Sequence, residues 1–271
     1  MLNGISKILI ESKDRTELFI KSYDLLVDLL GYDPYYEARR KLDEEALEYI
    51  KHIPRNISIN EMALYLALSN GADIEMRDYN GNLDLNLDTE YKFGDYNKVV
   101  NDIANAERVA LVVDNVGEAL IDVLLTSKLQ NMGIQVTLIA RKFRYEVDAT
   151  VDDIVRYLKM LNINLEVMGI ESRYSIFHDK KLTEKLAGCS NIVLVKGICN
   201  LESFISIRPE KLKDKCIFLF RAKCKPLSKM FNVKLGQPLI AYGNEILDIY
   251  YEFKCQQLCS ISRFKHKSSA H

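Results

Sequence analysis

The chain has 271 residues, a net charge of −1 at pH 7 and an apolar fraction of 48%. This is the composition of an ordinary globular protein, and it gives no electrostatic reason to expect binding to nucleic acid or to an anionic membrane. No apolar run approaches the roughly 20 residues that a membrane helix needs, and the N-terminus lacks the layout of a signal peptide. We therefore expect a cytoplasmic protein that binds neither nucleic acid nor membranes, while the oligomeric state stays open.

Residues 1–94 are predicted to form a helical N-terminal domain. Three helices in it carry recognisable start or stop signals, namely Asp14 with Gly31, Asp33-Pro34, and the capping box of Ser58 with a stop near Asn70-Gly71. Residues 78–95 fit either a loop or a hairpin strand. The first third of the chain is therefore expected to be mainly α-helical.

From Asp95 the apolar pattern changes to short strands that alternate with helices. The predicted helices are 96–105, 117–131, 151–161, 180–187 and 200–206, and the predicted strands are 109–113, 135–140, 164–168, 191–195, 216–220 and 238–242. Such alternation is typical of a mainly parallel sheet covered by helices on both faces. We predict a Rossmann-like, three-layer α/β/α domain over residues 95–254 and a loose, basic, turn-rich tail over residues 255–271.

The most informative stretch of the α/β domain is the end of its first strand. The apolar run 109–113 stops at Asp114 and Asn115, and a helix begins near Gly117. In open α/β sheets, ligands bind at the carboxyl ends of the strands. Two oxygen donors beside a helix N-terminus suit a hard metal ion together with an anion.

Three more polar sites follow predicted strands: Asp148, then Lys196-Gly197 with Asn200, and finally Arg221 with Lys223. In a parallel sheet these sites and Asp114-Asn115 would converge on one edge. Carboxylate and amide oxygens could hold a metal ion while lysines hold phosphate oxygens. That combination is what phosphoryl transfer by positioning and charge neutralisation requires.

Each of these residues also has a purely structural interpretation. Asp114 and Asn115 could cap the helix that follows them, and Asp148 could cap the helix that begins at residue 151. Lys196 and Lys223 could be solvated lysines at strand ends. Glu118 could simply complement the helix dipole. None of the four sites is specific alone, and their shared position at one edge favours the functional interpretation.

The order of these motifs resembles one known family. The motifs are Asp114-Asn-Val-Gly-Glu118 with Asp122, Asp148-Ala-Thr150, Lys196-Gly-x-x-Asn200-x-Glu202, and Ala222-Lys223-Cys224-x-Pro226. They look like those of the damage-control metallophosphatases, also known as domain of unknown function eighty-nine, in the stand-alone microbial and pantothenate-kinase-associated branch. The resemblance covers about residues 33–242, including Asp33-Pro34-Tyr35 in the N-terminal region.

The resemblance implies an α/β/α core with an appended helical domain, and a phosphatase that uses manganese, cobalt, nickel or magnesium. Its substrates would be small phosphorylated metabolites, such as sugar phosphates or phosphopantetheine-type compounds. Carried over by motif, the metal ligands would be Asp114, Asn115 and Asp148. The substrate site would contain Lys196, Gly197, Asn200, Glu202 and Lys223. Glu118 and Asp122 are candidates for the general base, so the expected catalytic set is Asp114, Asn115, Glu118, Asp122 and Lys223.

Two departures from the family pattern bear on the resemblance. Cys199 stands where the family has a second glycine, which would alter the turn and crowd the substrate. Asn70-Gly71 reverses a common Gly-Asn pair, which weakens the carry-over to the helical domain. Two other functions are considered: a methyltransferase, because a strand that ends in an acidic residue plus glycine resembles a nucleotide or adenosylmethionine loop, and a non-catalytic ligand-binding or scaffold protein that retains the fold. An adenosylmethionine-dependent methyltransferase normally needs several closely spaced glycines, whereas only Gly117 occurs between residues 109 and 122. A non-catalytic binding protein would not be expected to keep all the ligand candidates and both lysines.

Overall fold

The protein is described by a computed structural model that covers residues 2–75, 78–81 and 83–268. Within these ranges there are eleven α-helices: α1 (Leu2–Glu11), α2 (Arg15–Leu30), α3 (Tyr36–Tyr49), α4 (Ile59–Ser69), α5 (Tyr96–Ala104), α6 (Glu118–Asn131), α7 (Val151–Leu161), α8 (Lys180–Cys189), α9 (Ile198–Ile207), α10 (Lys225–Phe231) and α11 (Gly243–Ser268). No helix in the described ranges is both long enough and apolar enough to cross a membrane.

The described residues contain seven strands that form one sheet: β1 (Lys92–Phe93), β2 (Arg108–Val112), β3 (Gln135–Arg141), β4 (Glu166–Ile170), β5 (Ile192–Lys196), β6 (Cys216–Arg221) and β7 (Pro238–Tyr242). Their order is β1-β7-β6-β5-β2-β3-β4. All neighbouring pairs are parallel except β6 and β7. The order reverses beside β2, so the carboxyl end of β2 lies at the switch point where such sheets bind ligands.

Helices cover both faces of the sheet, which confirms the α/β fold with a mainly parallel sheet. On one face, α6 and α7 pack with α3 and α4 of the N-terminal region into a single apolar cluster that includes Leu42, Leu66, Leu111 and Leu120. The other face packs against a second cluster built around Val112, Phe204 and Phe218. The N-terminal helices therefore share one core with the sheet, and the domain boundary at residue 94 stays a prediction.

Local sequence signals predicted several helix ends correctly. Asp14 accepts a hydrogen bond from the amide of Glu17, and Gly31 ends α2 in the left-handed conformation with φ +72°. Ser58 and Glu61 form the expected capping box of α4. Between residues 78 and 95, the described residues form a loop that ends in β1, and they contain no hairpin.

One expectation about the C-terminal part was wrong. Residues 255–268 are not a turn-rich tail, because α11 continues to Ser268; residues 269–271 lie outside the described residues. The serines of this segment are compatible with a helix, since no proline or glycine interrupts it. Helices α1 and α10 were also not predicted.

Candidate active site

The polar residues that follow the strands lie together at one edge of the sheet. Asp114 and Asn115 follow β2, and Lys223 follows β6. The loop after β3 returns to the same edge because Asn115 forms an isolated β-bridge with Asp148. The amide of Ala149 also donates to the carbonyl oxygen of Asp114 at 2.7 Å. A residue 34 positions after Asp114 is thereby brought beside it.

These residues line a cavity of about 340 Å³. Its polar part includes Asp114, Asn115, Asp148, Glu202 and Lys223 from the predicted set, and its apolar part includes Phe19, Ile74 and Ile198. Larger cavities of about 690, 590 and 450 Å³ lie elsewhere in the described part of the chain and contain none of the predicted site residues. The charged groups therefore identify the smaller cavity as the candidate active site.

Gly197 provides the space in which the Asp114 carboxylate lies. A Cβ atom at residue 197 would lie 2.1 Å from Cγ and Oδ1 of Asp114, and the residue has φ +86°. Only glycine satisfies both constraints. Burial raises the pKa of Asp114, the nearby Asp73 carboxylate adds to this shift, and Lys223 opposes it. A positive charge beside Asp114 would therefore be favourable.

Asn115 and Asp148 each direct part of their side chain toward the cavity. Asn115 Nδ2 donates to the carbonyl oxygen of Ala72 at 2.9 Å, which leaves the amide oxygen as its remaining polar atom. Asp148 Oδ2 accepts a hydrogen bond from Nε of buried Arg141. Burial raises the pKa of Asp148 to about 7 against the opposing effect of Arg141. Asp148 does not cap α7, since Thr150 forms a capping box with Asp153 there.

Lys223 is only 2% exposed, and its ammonium group donates to Asp73 Oδ2 at 2.6 Å. Burial alone would lower the pKa of Lys223, but Asp73, Glu118 and Asp114 outweigh burial and raise it. The lysine is thus cationic at neutral pH. Lys223 is therefore not a solvated lysine at a strand end, because its side chain is buried at the wall of the cavity.

Lys196 does not line the cavity, contrary to the sequence-based expectation. It is fully buried, and Nζ lies 2.8 Å from Asp122 Oδ1, 3.2 Å from Glu118 Oε1 and 2.6 Å from Ser69 Oγ. Burial raises the pKa of both Glu118 and Asp122, partly offset by Lys196. Glu118 and Asp122 are fully buried as well. Neither carboxylate lines the cavity in this arrangement, and a role of either as general base stays a prediction.

The remaining predicted residues divide between structure and cavity. Asn200 is buried and Nδ2 donates to the carbonyl oxygen of Lys196 at 2.9 Å, so it supports the turn after β5. Glu202 lines the cavity and lies 3.0 Å from Arg15 at the N-terminus of α2. Arg221 contacts backbone carbonyls, including those of Leu68 and Asp84, and therefore holds the N-terminal region rather than a ligand.

Asn70 and Asp73 were not among the sequence-based candidates, because they come from the N-terminal region. Asn70, at the end of α4, donates through Nδ2 to Asp114 Oδ2 at 3.1 Å and to Glu118 Oε2 at 3.0 Å. The reversed Asn70-Gly71 pair therefore does not remove an amide from the site. Cys199 lines the cavity, as its substitution for glycine led us to expect, and lies 3.5 Å from Arg141 Nη2. A buried amide at a helix end has no local sequence signal.

The donor set at the cavity fits a hard divalent cation. Among the hydrogen bonds of the described residues, none engages Oδ1 of Asp114, Oδ1 of Asn115 or Oδ1 of Asp148. Oxygen-only sets of carboxylates and amides suit magnesium and manganese. No group of three His, Cys, Asp or Glu side chains in the described ranges is arranged to hold a metal. A metal site here would thus depend on the Asn115 amide beside two carboxylates.

The chain is similar to proteins of one known family. The sequence matches the family model of the damage-control phosphatase ARMT1-like domain over residues 11–239. It is 24% identical over 216 residues to the damage-control phosphatase PH1575 of Pyrococcus horikoshii, an alignment that spans 75% of this chain and 72% of its relative. The crystal structure of PH1575, a DUF89 family protein, matches with a TM-score of 0.69 at 21% identity, covering 88% of this chain and 87% of the other. The structural similarity shows a shared fold.

Proposed function

Because the chain belongs to the family of damage-control phosphatases with an ARMT1-like domain, we propose that it is a divalent-metal-dependent phosphomonoester hydrolase that acts on small phosphorylated metabolites. Family membership supports a phosphatase role in metabolite repair. The observation that carries the metal-dependent part of the proposal is the presence of two carboxylates and one amide at the cavity that also contains Lys223. The cytoplasmic location stays a prediction.

We assign the metal ligands to Asp114, Asn115 and Asp148. Each has one side-chain oxygen without a protein hydrogen bond among the described contacts. Burial raises the pKa values of Asp114 and Asp148, and the neighbouring cations Lys223 and Arg141 offset this effect only in part. A divalent ion bound there would neutralise the phosphate and lower the pKa of a water. The candidates are manganese, cobalt, nickel and magnesium.

Lys223 has the role of holding the phosphate. A phosphate monoester carries nearly two negative charges at neutral pH, and a buried ammonium group is an effective point charge for its oxygens. Asp73 fixes the direction of this ammonium group through the 2.6 Å contact. Lys223 thus binds the ester and stabilises charge on the oxygens as the bond to the leaving group breaks.

Lys196, Glu118 and Asp122 have a supporting role in this proposal. Glu118 holds Asn70, and Asn70 in turn donates to Asp114. The buried ammonium group of Lys196 holds Glu118 in position through their ion pair. These residues orient Asp114 instead of touching the substrate.

The cavity favours a small substrate. Its volume of about 340 Å³ lies near the lower end of the range of roughly 300–1,000 Å³ for small-molecule sites. Phe19, Ile74 and Ile198 provide an apolar surface for the rest of the metabolite. Sugar phosphates and phosphopantetheine-type compounds are therefore the substrate classes to examine first.

The proposal is tested by hydrolysis of p-nitrophenyl phosphate and of a panel of these metabolites after chelation. Each of the four metals is then added back separately. We expect hydrolysis to depend on added metal and to release inorganic phosphate. The same rate in the presence of the chelator and of added metal would overturn the metal-dependent mechanism, while transfer of a labelled methyl group would favour a methyltransferase.

A further inference from the structure

The turn that carries Asp148 contains an unusual backbone conformation. Glu146 has φ +39°, in the left-handed region that residues with a side chain rarely adopt. The other non-glycine residues with positive φ in the described ranges are Asn162, Arg208 and Asn232, and each of them ends a helix. Glu146 ends no helix. A contact that fixes the backbone of Glu146 from outside the turn would therefore help to hold this conformation.

Arg39 of α3 makes the main contact of this kind. Its Nη1 donates to the carbonyl oxygen of Glu146 at 2.6 Å, although the two residues lie 107 positions apart. The guanidinium group is itself fixed, because it is buried and forms an ion pair with Asp33. The guanidinium group of Arg39, which Asp33 holds in place, therefore fixes the position of the Glu146 carbonyl group.

The consequence of the strained turn is the position of Asp148. The Asp148 amide donates back to the carbonyl oxygen of Tyr145 at 2.9 Å, which closes the turn around Glu146. The next amide, of Ala149, donates to the carbonyl oxygen of Asp114. If Glu146 relaxed to negative φ, the Asp148 carboxylate would move away from Asn115 and Asp114.

These contacts give a use to the Asp33-Pro34-Tyr35 motif, which no step of the proposed function requires. Asp33 orients Arg39, and the Tyr35 hydroxyl lies 3.5 Å from Glu146 Oε1. No residue of α3, which lies entirely within the described part of the chain, lines the cavity. An effect of α3 on the site can therefore pass through this turn, or through Asp43, which accepts a hydrogen bond from the Gly117 amide at 3.1 Å.

We propose that Arg39 is a positioning residue that holds Glu146 in the left-handed conformation and thereby sets the distance from Asp148 to the other metal ligands. This inference rests on the proposed function, since it presupposes that Asp114, Asn115 and Asp148 bind a metal ion. Arg39 touches neither substrate nor metal. Its removal should act on metal affinity and leave the reaction at saturating metal largely intact.

The sharpest test compares two substitutions at Glu146. Glu146→Gly and Glu146→Val both remove the carboxylate, but only glycine adopts positive φ freely. Manganese titration by calorimetry should show that Glu146→Val binds about 10–100-fold more weakly than Glu146→Gly, the size of effect typical of outer-shell partners. Equal affinities would mean that only the carboxylate matters and would overturn the proposal.

A second set of variants examines Arg39 directly. Arg39→Gln should weaken manganese binding by a similar factor, whereas kcat at saturating manganese stays close to wild type. The double variant Arg39→Gln/Glu146→Gly should recover the affinity of Glu146→Gly alone, because glycine needs no clamp. Arg40→Gln is the matched control, since Arg40 is adjacent, exposed and, among the described residues, forms ion pairs with Glu37 and Glu44 of its own helix.

Hydrogen exchange in the metal-free protein separates this proposal from the proposed function. Arg39→Gln should accelerate exchange of the Asp148 and Ala149 amides, and Arg40→Gln should not. Wild-type exchange and wild-type manganese affinity in Arg39→Gln would overturn the clamp alone. A wild-type protein that binds no divalent metal would instead overturn the metal site, even where the amides respond as expected.

Discussion

At the scale of single residues, the Gly197–Asp114 contact is the tightest constraint in the candidate site. We predict that Gly197→Ala loses most of its affinity for divalent metal and its phosphatase activity. The reason is that the new Cβ would occupy the space of the Asp114 carboxylate, at 2.1 Å from Oδ1. Metal titration and a steady-state assay of the purified variant measure both effects.

Gly133→Ala is the control for the backbone part of this effect. Gly133 also has positive φ, at +90°, but no atom lies within 4 Å of the position of a Cβ. Its substitution should cost about 1–2 kcal/mol of unfolding free energy and leave metal binding unchanged. Equal metal affinities in the two variants would show that Gly197 has no special relation to Asp114.

Lys223 separates phosphate binding from metal binding. We predict that Lys223→Met keeps nearly the wild-type metal affinity, while kcat/KM falls by about a hundredfold because one charged group no longer stabilises the phosphoryl oxygens. Lys223→Arg should not restore activity fully, since the broader guanidinium group needs a different pocket. Lys225→Met, at an exposed lysine two positions on, is the control. A wild-type kcat/KM in Lys223→Met would contradict the assignment.

Lys196 should behave differently from Lys223, because burial turns a substitution into a stability effect. Lys196→Met leaves Glu118 and Asp122 buried without their common cation. Breaking a buried ion pair from one side typically costs roughly 3–5 kcal/mol. Urea unfolding should therefore show a large loss of stability in Lys196→Met and a smaller one in Lys223→Met. The opposite order would contradict the buried position of Lys196.

At the scale of elements, the first turn of α7 provides a pH-dependent test. Asp153 Oδ2 accepts hydrogen bonds from the Thr150 amide at 2.9 Å and from Arg144 at 2.6 Å. Burial would raise the pKa of Asp153, but these hydrogen bonds outweigh it and lower the pKa. A lowered pKa contributes stability above the unfolded-state pKa of roughly 3.9, and this stability is lost as the pH falls through the folded-state pKa.

We therefore predict that Asp153→Asn is less stable than wild type by about 1–2 kcal/mol at pH 7, and that the difference shrinks below about pH 4. Urea unfolding from pH 2.5 to pH 7 measures it. Asp152→Asn removes an exposed carboxylate from the same turn and should have a smaller effect. A difference that grows on acidification would contradict the predicted sign.

Elements could be predicted from the sequence where the signal was local. Asp14, Gly31 and Ser58 predicted the ends of α2 and the start of α4, because capping interactions act within one helical turn. The antiparallel orientation of β7 could not be predicted, because a short apolar run does not indicate whether a strand lies parallel or antiparallel to its neighbour. The helical path of residues 255–268 was missed because polar composition alone does not separate a helix from a loose tail.

At the scale of the whole molecule, the site joins the N-terminal helices to the sheet. The convergence of Asp114, Asn115, Asp148 and Lys223 could be predicted, since strand ends of a parallel sheet share one edge. The complete burial of Lys196 and the position of Asn70 beside Asp114 could not be predicted, because both depend on how α4 packs over α6. Such packing is a long-range property that no local motif encodes.

The central claim is that this edge of the sheet is a metal-dependent phosphatase site, and Asp114 is the residue on which the claim depends most. The most direct measurement is manganese titration of wild type and Asp114→Ala, with hydrolysis of a phosphate monoester followed in the same samples. We predict that wild type binds manganese and hydrolyses the ester in proportion to bound metal. Asp114→Ala should remain folded but lose both metal binding and hydrolysis by more than the roughly 10–100-fold typical of outer-shell residues. Unchanged metal content and unchanged hydrolysis in Asp114→Ala would contradict the claim.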